Sequence, residues 1–237
     1  MTQFDALFFD VDDTLLDFQA AEDGALHLLF DEQGLSLTSE VRTDYQTYNR
    51  SIWKQIEAGI GDRQKLLHQR FTHFFASYGL TVDGVALERR YQELLSSSHR
   101  LIDGAWQVLK ELKKKYALYI VTNGVSTTQH RRLRDSHLDT LVDAVFVSEE
   151  AGVQKPDPRF FQYVFNRLEG FSPEKGMIIG DSLTSDIQGG HNAGMATCWF
   201  NPNHNPNQST AAPSLEIHRL DELLHSLNTG KKISSTR

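Results

Sequence analysis

The sequence predicts an α/β protein: a doubly wound parallel sheet whose first strand is separated from the rest by an inserted all-α segment. Three observations lead there. Short apolar runs, each ending in a polar turn, alternate with helical periodicity through the second half of the chain. Residues 17–100 carry helical patterning alone. The first apolar run breaks off in the acidic cluster Asp10-Val11-Asp12-Asp13-Thr14.

Taken in order, Ala6-Leu7-Phe8-Phe9 is a continuous apolar run, as suits a strand buried on both faces. Helical patterns then occupy 20–30, 40–57, 62–78 and 83–98, broken at Gly34, at Gly59-Ile60-Gly61 and at Gly79. Some eighty helical residues exceed any simple crossover between strands. We expect a separate helical domain over 17–100, placed above the C-terminal end of strand one, with 1–16 and 101–237 forming the α/β core. Ligands bind at that end of open α/β sheets. Strands are expected at 116–121, 144–147, 177–179 and 196–200, and helices at 105–114, 127–136, 159–168 and 184–193. The Asn- and Pro-rich stretch 201–213 reads as a surface loop, and the basic tail 229–237 as frayed chain.

The 237 residues carry a net charge of −7, which argues against a nucleic-acid polymer as partner. The single cysteine, Cys198, excludes an internal disulfide and a Cys-based zinc site, and its apolar neighbours mark it as core packing. No run approaches the ~20 apolar residues of a membrane span, and the N-terminus lacks a secretory pattern, so a cytoplasmic protein is expected.

Carboxylates at the end of a buried strand are costly unless a cation meets them. Asp10 and Asp12 are two apart, so in extended chain they point the same way. That suits one carboxylate attacking phosphorus while the other moves the proton; Asp13 would then serve the turn. Thr122-Asn123-Gly124, after an apolar strand, either cradles a phosphate through the Thr122 hydroxyl and the backbone N–H groups of Asn123 and Gly124, or is an ordinary turn. Lys155 precedes Pro156-Asp157-Pro158, where Asp157 and Pro158 make a good helix start, and an ammonium beside Asp10 would offset carboxylate–phosphate repulsion. Asp181 ends another apolar run. Beside Asp10 it makes a hard oxygen site suited to Mg²⁺, and Asp186 either ligates that ion or caps a helix. In the helical segment Tyr45, Asn49 and Trp53 share one face. They either contact a nucleobase or pack the helical core.

These four elements, in this order, resemble the haloacid dehalogenase (HAD) superfamily of phosphotransferases across the whole chain: Asp10-Val11-Asp12-Asp13-Thr14-Leu15, Thr122-Asn123, Lys155-Pro156, and Gly180-Asp181 with Asp186. The resemblance implies a Rossmann-like core with the strands of Asp10 and Asp181 adjacent, and a C1-type helical cap. It makes Asp10 the nucleophile and Asp12 the general acid/base. Thr122, Asn123 and Lys155 would hold phosphate, and Mg²⁺ would sit on Asp10, the backbone carbonyl of Asp12, and Asp181, with Asp186 direct or through water. Dehalogenases of the superfamily lack the second aspartate, because a halide leaves without a proton; Asp12 therefore points to a phosphatase or phosphomutase acting on a small phosphomonoester. More narrowly, Ile120-Val121-Thr122-Asn123-Gly124, Ser148-Glu149-Glu150-Ala151-Gly152-Val153, Gly189-Gly190, Asn192-Ala193-Gly194, Ala196-Thr197-Cys198-Trp199, and Asn49 with Trp53 resemble the YjjG/YfnB group of pyrimidine 5′-nucleotidases. Phosphatases of small sugar or hydroxy-acid phosphates share many of these residues and stay open as the alternative.

Overall fold

The structure, a computed structural model, describes residues 4–207 and 209–228, so the basic tail lies outside the described residues. The chain forms two compact units: one runs to Phe18 and resumes at His99, and the other is Gln19–Ser98.

The first unit is built on a parallel sheet with strands β1 (Ala6–Phe9), β2 (Ala117–Thr122), β3 (Ala144–Val147), β4 (Gly176–Gly180), β5 (Ala196–Phe200) and β6 (Leu215–Ile217), in the order β3-β2-β1-β4-β5-β6. β1 lies between β2 and β4, with Phe9 opposite Ile120 on one side and Ile179 on the other. All four of its residues are buried, as their unbroken apolarity requires. Leu7 and Phe9 join one core layer with Val108 and Leu109 of helix α5 (Ala105–Leu112); Phe8 joins the opposite layer with Phe160 and Phe161 of α8 (Pro158–Phe165). The remaining helices are α6 (Ser126–Asp135), α7 (Ser148–Ala151), α9 (Gln188–Asn192) and α10 (Asp221–Asn228). Among the described residues, no helix is long and apolar enough to cross a membrane.

Three local expectations change. The single helix expected at 184–193 is a π-type turn, Leu183–Ile187, leading into α9. Glycine lets α9 lie against the sheet, since a Cβ on Gly190 would come within 2.5 Å of Ile178 and 2.6 Å of Thr197. The turn expected at Ser148-Glu149-Glu150 is a single helical turn, α7. Edge strand β6 and helix α10 were not anticipated; a three-residue strand is too short for its periodicity to register.

The second unit comprises most of α1 (Phe18–Glu32) with α2 (Ser39–Glu57), α3 (Arg63–Ala76) and α4 (Gly84–Ser96). Side chains of Thr38, Asp62 and Asp83 accept from backbone N–H groups in the first turns of α2, α3 and α4. Inside, Arg70 forks onto Glu88 at 2.6–3.0 Å and donates to Asn49 Oδ1 at 2.7 Å, while Asn49 Nδ2 donates to Glu22 at 2.8 Å. Charges this deep persist only when paired and hydrogen-bonded, as these are.

Candidate active site

The sheet order alone assembles most of the site. β2, β1 and β4 are neighbours, so Thr122 at the end of β2, Asp10 just past β1 and Asp181 just past β4 meet at one sheet edge. The Asp10 N–H continues the ladder by donating to the Ile179 carbonyl at 2.9 Å.

Lys155 enters from the loop before α8, through a cis Lys155–Pro156 peptide. Asn123 fixes that loop reciprocally: its Nδ2 donates to the Lys155 carbonyl at 2.9 Å, and its Oδ1 accepts from the Lys155 N–H at 3.0 Å. The ammonium is 1 % exposed and donates to Asp10 Oδ1 (2.6 Å), Asp186 Oδ1 (2.7 Å) and the Val121 carbonyl (2.7 Å). Its three protons are thus directed to protein oxygens, so what Lys155 offers a phosphate here is charge. Burial opposes that charge, but Asp10 and Asp186 outweigh it and hold the lysine above its ordinary range.

Asp10, Asp181 and Asp186 each offer an oxygen within 4.8 Å of the others. Thr14 Oγ1 accepts from the Asp181 N–H at 3.1 Å, and Trp199 Nε1 donates to the Asp181 carbonyl at 2.8 Å. Asp186 is fully buried, with Oδ2 accepting from the Ser182 N–H at 3.1 Å. Burial, together with the neighbouring carboxylates, pushes Asp10 up to about 7 despite Lys155. Asp181 is raised well above the carboxylate range by burial and then by Asp186, Asp10 and Asp13. Three carboxylates crowded together, all of them oxygen donors, are what a small hard divalent cation relieves, and the set fits Mg²⁺.

The Asp12 carboxylate lies outside this trio, so any share of Asp12 in ion binding falls to its backbone carbonyl, the atom the resemblance implies. β1 has ended by Phe9, and α6 captures the side chain instead: Gln129 Nε2 donates to Asp12 Oδ2 at 2.7 Å, and Arg132 Nη1 to Asp12 Oδ1. Gln129 Nε2 also reaches Thr122 Oγ1 at 2.8 Å. Asp13 takes the turn, as expected, with φ +55° and its Oδ1 accepting from the Phe18 N–H at 3.0 Å. The Gly124 N–H donates to Thr122 Oγ1 at 3.2 Å, which orients the threonine.

Sequence reasoning missed Gln129 and Arg132, each 1 % exposed. The available signal was α6 itself, Ser-Thr-Thr-Gln-His-Arg-Arg-Leu-Arg-Asp, whose only apolar residue is Leu133; a helix on a sheet with one leucine must bury polar groups.

Of the two readings left open for the helical-unit candidates, Tyr45 and Asn49 follow the packing one. Tyr45 is fully buried, its ring stacked on Phe71 at 5.5 Å and edge-on to Phe74 and Tyr91, which leaves no face for a base. Asn49 commits both ends of its amide to Glu22 and Arg70. Trp53 remains half-buried, with the Arg63 guanidinium 5.6 Å from its ring centre.

A family model described as haloacid dehalogenase-like hydrolase matches residues 4–194. The chain is 48% identical to YfnB of Bacillus subtilis in a magnesium-bound crystal structure, with a TM-score of 0.91 over 95% of this chain and 99% of that one. It is 41% identical to the pyrimidine 5′-nucleotidase PynA of Streptococcus pneumoniae, covering 94% of both chains. With the pyrimidine 5′-nucleotidase YjjG of Escherichia coli, identity is 31% over 93% of this chain and 96% of that one.

Proposed function

Because the chain belongs to the haloacid dehalogenase-like hydrolase family, we propose that it is a cytoplasmic, Mg²⁺-dependent phosphomonoesterase working through an aspartyl-phosphate, and a 5′-nucleotidase that prefers pyrimidine nucleoside monophosphates. The observation that carries the reaction type is the second carboxylate. Asp12 follows Asp10 by two residues and shares Gln129 with the Thr122 hydroxyl, so a proton carrier stands beside the phosphate-binding group. The printed names of PynA and YjjG support the substrate.

An Asp10 oxygen attacks phosphorus as the bond to the leaving 5′-oxygen breaks, and Asp12 gives that oxygen its proton. A water then attacks the aspartyl-phosphate, Asp12 takes the water's proton, and phosphate leaves with Asp10 restored. Thr122 Oγ1 accepts from Gln129 and from the Gly124 N–H, which leaves its own proton to donate to a phosphate oxygen. Lys155 holds positive charge against Asp10, and stabilising charge on the phosphoryl group is the main source of catalysis in such reactions. When bound by Asp10, Asp181 and Asp186, Mg²⁺ supplies further neutralisation of phosphate charge. Trp53 remains our candidate for stacking on the base, since its ring is half-buried and, among the described residues, not enclosed by other aromatics.

The test is phosphate release from pyrimidine and purine nucleoside 5′-monophosphates and from sugar phosphates, with Mg²⁺ or with EDTA, in wild type and Asp10→Asn. We expect pyrimidine nucleotides to lead, EDTA to stop turnover, and Asp10→Asn to lose at least ~10³-fold in kcat. Equal rates across the panel would remove the nucleotide assignment and leave the phosphatase; full activity in Asp10→Asn would remove the nucleophile.

A further inference from the structure

Asp12 is located by α6, and the geometry goes beyond a simple ion pair. Gln129 and Arg132 lie three residues apart, hence on one face of the helix, and each takes one carboxylate oxygen. Arg132 Nη1 also donates to Gln129 Oε1 at 3.1 Å, fixing which way the amide points. With Oε1 so engaged, Gln129 Nε2 is turned to both Asp12 Oδ2 and Thr122 Oγ1. Gly124 makes the room: a Cβ there would come within 2.4 Å of Gln129 Nε2 and 2.5 Å of its Cγ. Both anchors are buried, whereas the Asp12 side chain is 28 % exposed. A carboxylate has about four lone-pair positions. Gln129 and Arg132 use two, which leaves the others for a leaving oxygen and a water. Burying a guanidinium and an amide is poor packing compared with apolar side chains of similar size, so α6 gains little stability from them.

Resting on the assignment of Asp12 as proton carrier, we infer that Gln129 and Arg132 are positioning residues for proton transfer: they aim the Asp12 carboxylate, and Gln129 ties its position to the phosphate-binding Thr122 hydroxyl. Acid–base catalysis depends on holding such a group within hydrogen-bond reach of the atom it serves, and small displacements are expensive in rate.

The experiment compares leaving groups. An alkoxide needs a proton as it leaves phosphorus, and p-nitrophenolate does not. The ratio of kcat/KM for uridine 5′-monophosphate (or the alkyl ester that leads the panel above) to kcat/KM for p-nitrophenyl phosphate therefore reads proton delivery during bond cleavage. It is measured in Asp12→Asn, Gln129→Ala and Arg132→Lys, with melting curves to verify folding; Arg132→Lys keeps the charge and loses the planar guanidinium whose Nη1 holds both Asp12 and Gln129, and Gly124→Ala displaces Gln129 by a second route. We expect the ratio to drop about 100-fold in Asp12→Asn and about 10-fold or more in Gln129→Ala and Arg132→Lys. If Asp12→Asn shows the drop while Gln129→Ala and Arg132→Lys lower both esters equally, or neither, the positioning role is overturned and Asp12 keeps its own. No drop in Asp12→Asn removes the proton-carrier assignment and this inference with it.

Discussion

Gly180 is glycine because Asp186 occupies the space its side chain would need: a Cβ there would stand 2.1 Å from Asp186 Oδ2. Asp186 cannot retreat, since Lys155 holds one of its oxygens and the Ser182 N–H the other. Gly180→Ala is therefore expected to cost about 1–3 kcal/mol, as overpacking of a rigid core does, and to weaken the stabilisation that Mg²⁺ confers. Denaturant midpoints with and without Mg²⁺ measure both; an unshifted midpoint and Mg²⁺ response would mean that Asp186 has somewhere else to go. At this scale the sequence was informative where a polar residue closed an apolar run, as Asp10, Thr122 and Asp181 do, because burying such a group there demands an explanation. It was silent on Gln129 and Arg132, since polar residues on a helix read as solvent-facing until the helix is seen lying on a sheet. Likewise, Asn123 was legible as part of the site but not as the brace of the Lys155 loop, because the two are brought together only by the fold.

At the scale of elements, periodicity found α1 to α4 with ends displaced by a residue or two, since each carries its own apolar face and clear glycine or cap signals. It could not say what the face of Tyr45, Asn49 and Trp53 meets: spacing shows which residues share a face, not whether that face meets a core or a ligand. The interior it meets contains Glu22, 5 % exposed, whose Oε1 accepts from Asn49 Nδ2 at 2.8 Å and from the Tyr91 hydroxyl at 3.3 Å. Burial raises the Glu22 pKa, and Asn49, Arg70 and Tyr91 offset only part of that. A carboxyl raised on folding is held protonated by the folded state, so it weakens stability as pH climbs from its ordinary value of 4.5 through its folded value, and the penalty is complete above that. Glu22→Gln keeps an acceptor oxygen and cannot ionise. Its melting temperature is expected to match wild type near pH 4 and to exceed it increasingly at higher pH. A difference that does not vary with pH would show that the Glu22 charge is not its source.

For the molecule as a whole, the alternation of apolar runs and helices was enough to give a parallel sheet, and a run of helical patterns with no strand among them was enough to give an insertion after its first strand. What escaped was the far edge: β6 and α10 follow an Asn- and Pro-rich loop, and three strand residues leave no pattern to read. The insertion leaves and re-enters the α/β unit at one place. Leu16 and Leu101 form an antiparallel bridge, the Asp17 N–H donates to the Arg100 carbonyl at 2.9 Å, and the Ile102 N–H to the Leu15 carbonyl at 2.9 Å. Chain ends this close can be rejoined by a short flexible linker at small entropic cost. The carboxylates Asp10, Asp181 and Asp186, Lys155, and the strands that carry them all belong to the unit that would remain. Replacing 19–98 with a short Gly-Ser linker is therefore expected to leave a cooperatively folding α/β protein whose melting temperature rises with Mg²⁺, by about 2.7 kcal/mol of added stability at 100 times the dissociation constant. Asp181→Asn in the same shortened chain is expected to abolish that rise. Hydrolysis of small monoesters should persist at a reduced rate while preference among nucleotides disappears, because the aspartates proposed to react stay and the helices nominated for the base are gone. If the shortened chain still ranks pyrimidine over purine nucleotides as the full chain does, selectivity resides at the sheet edge, and Trp53 loses its part in it.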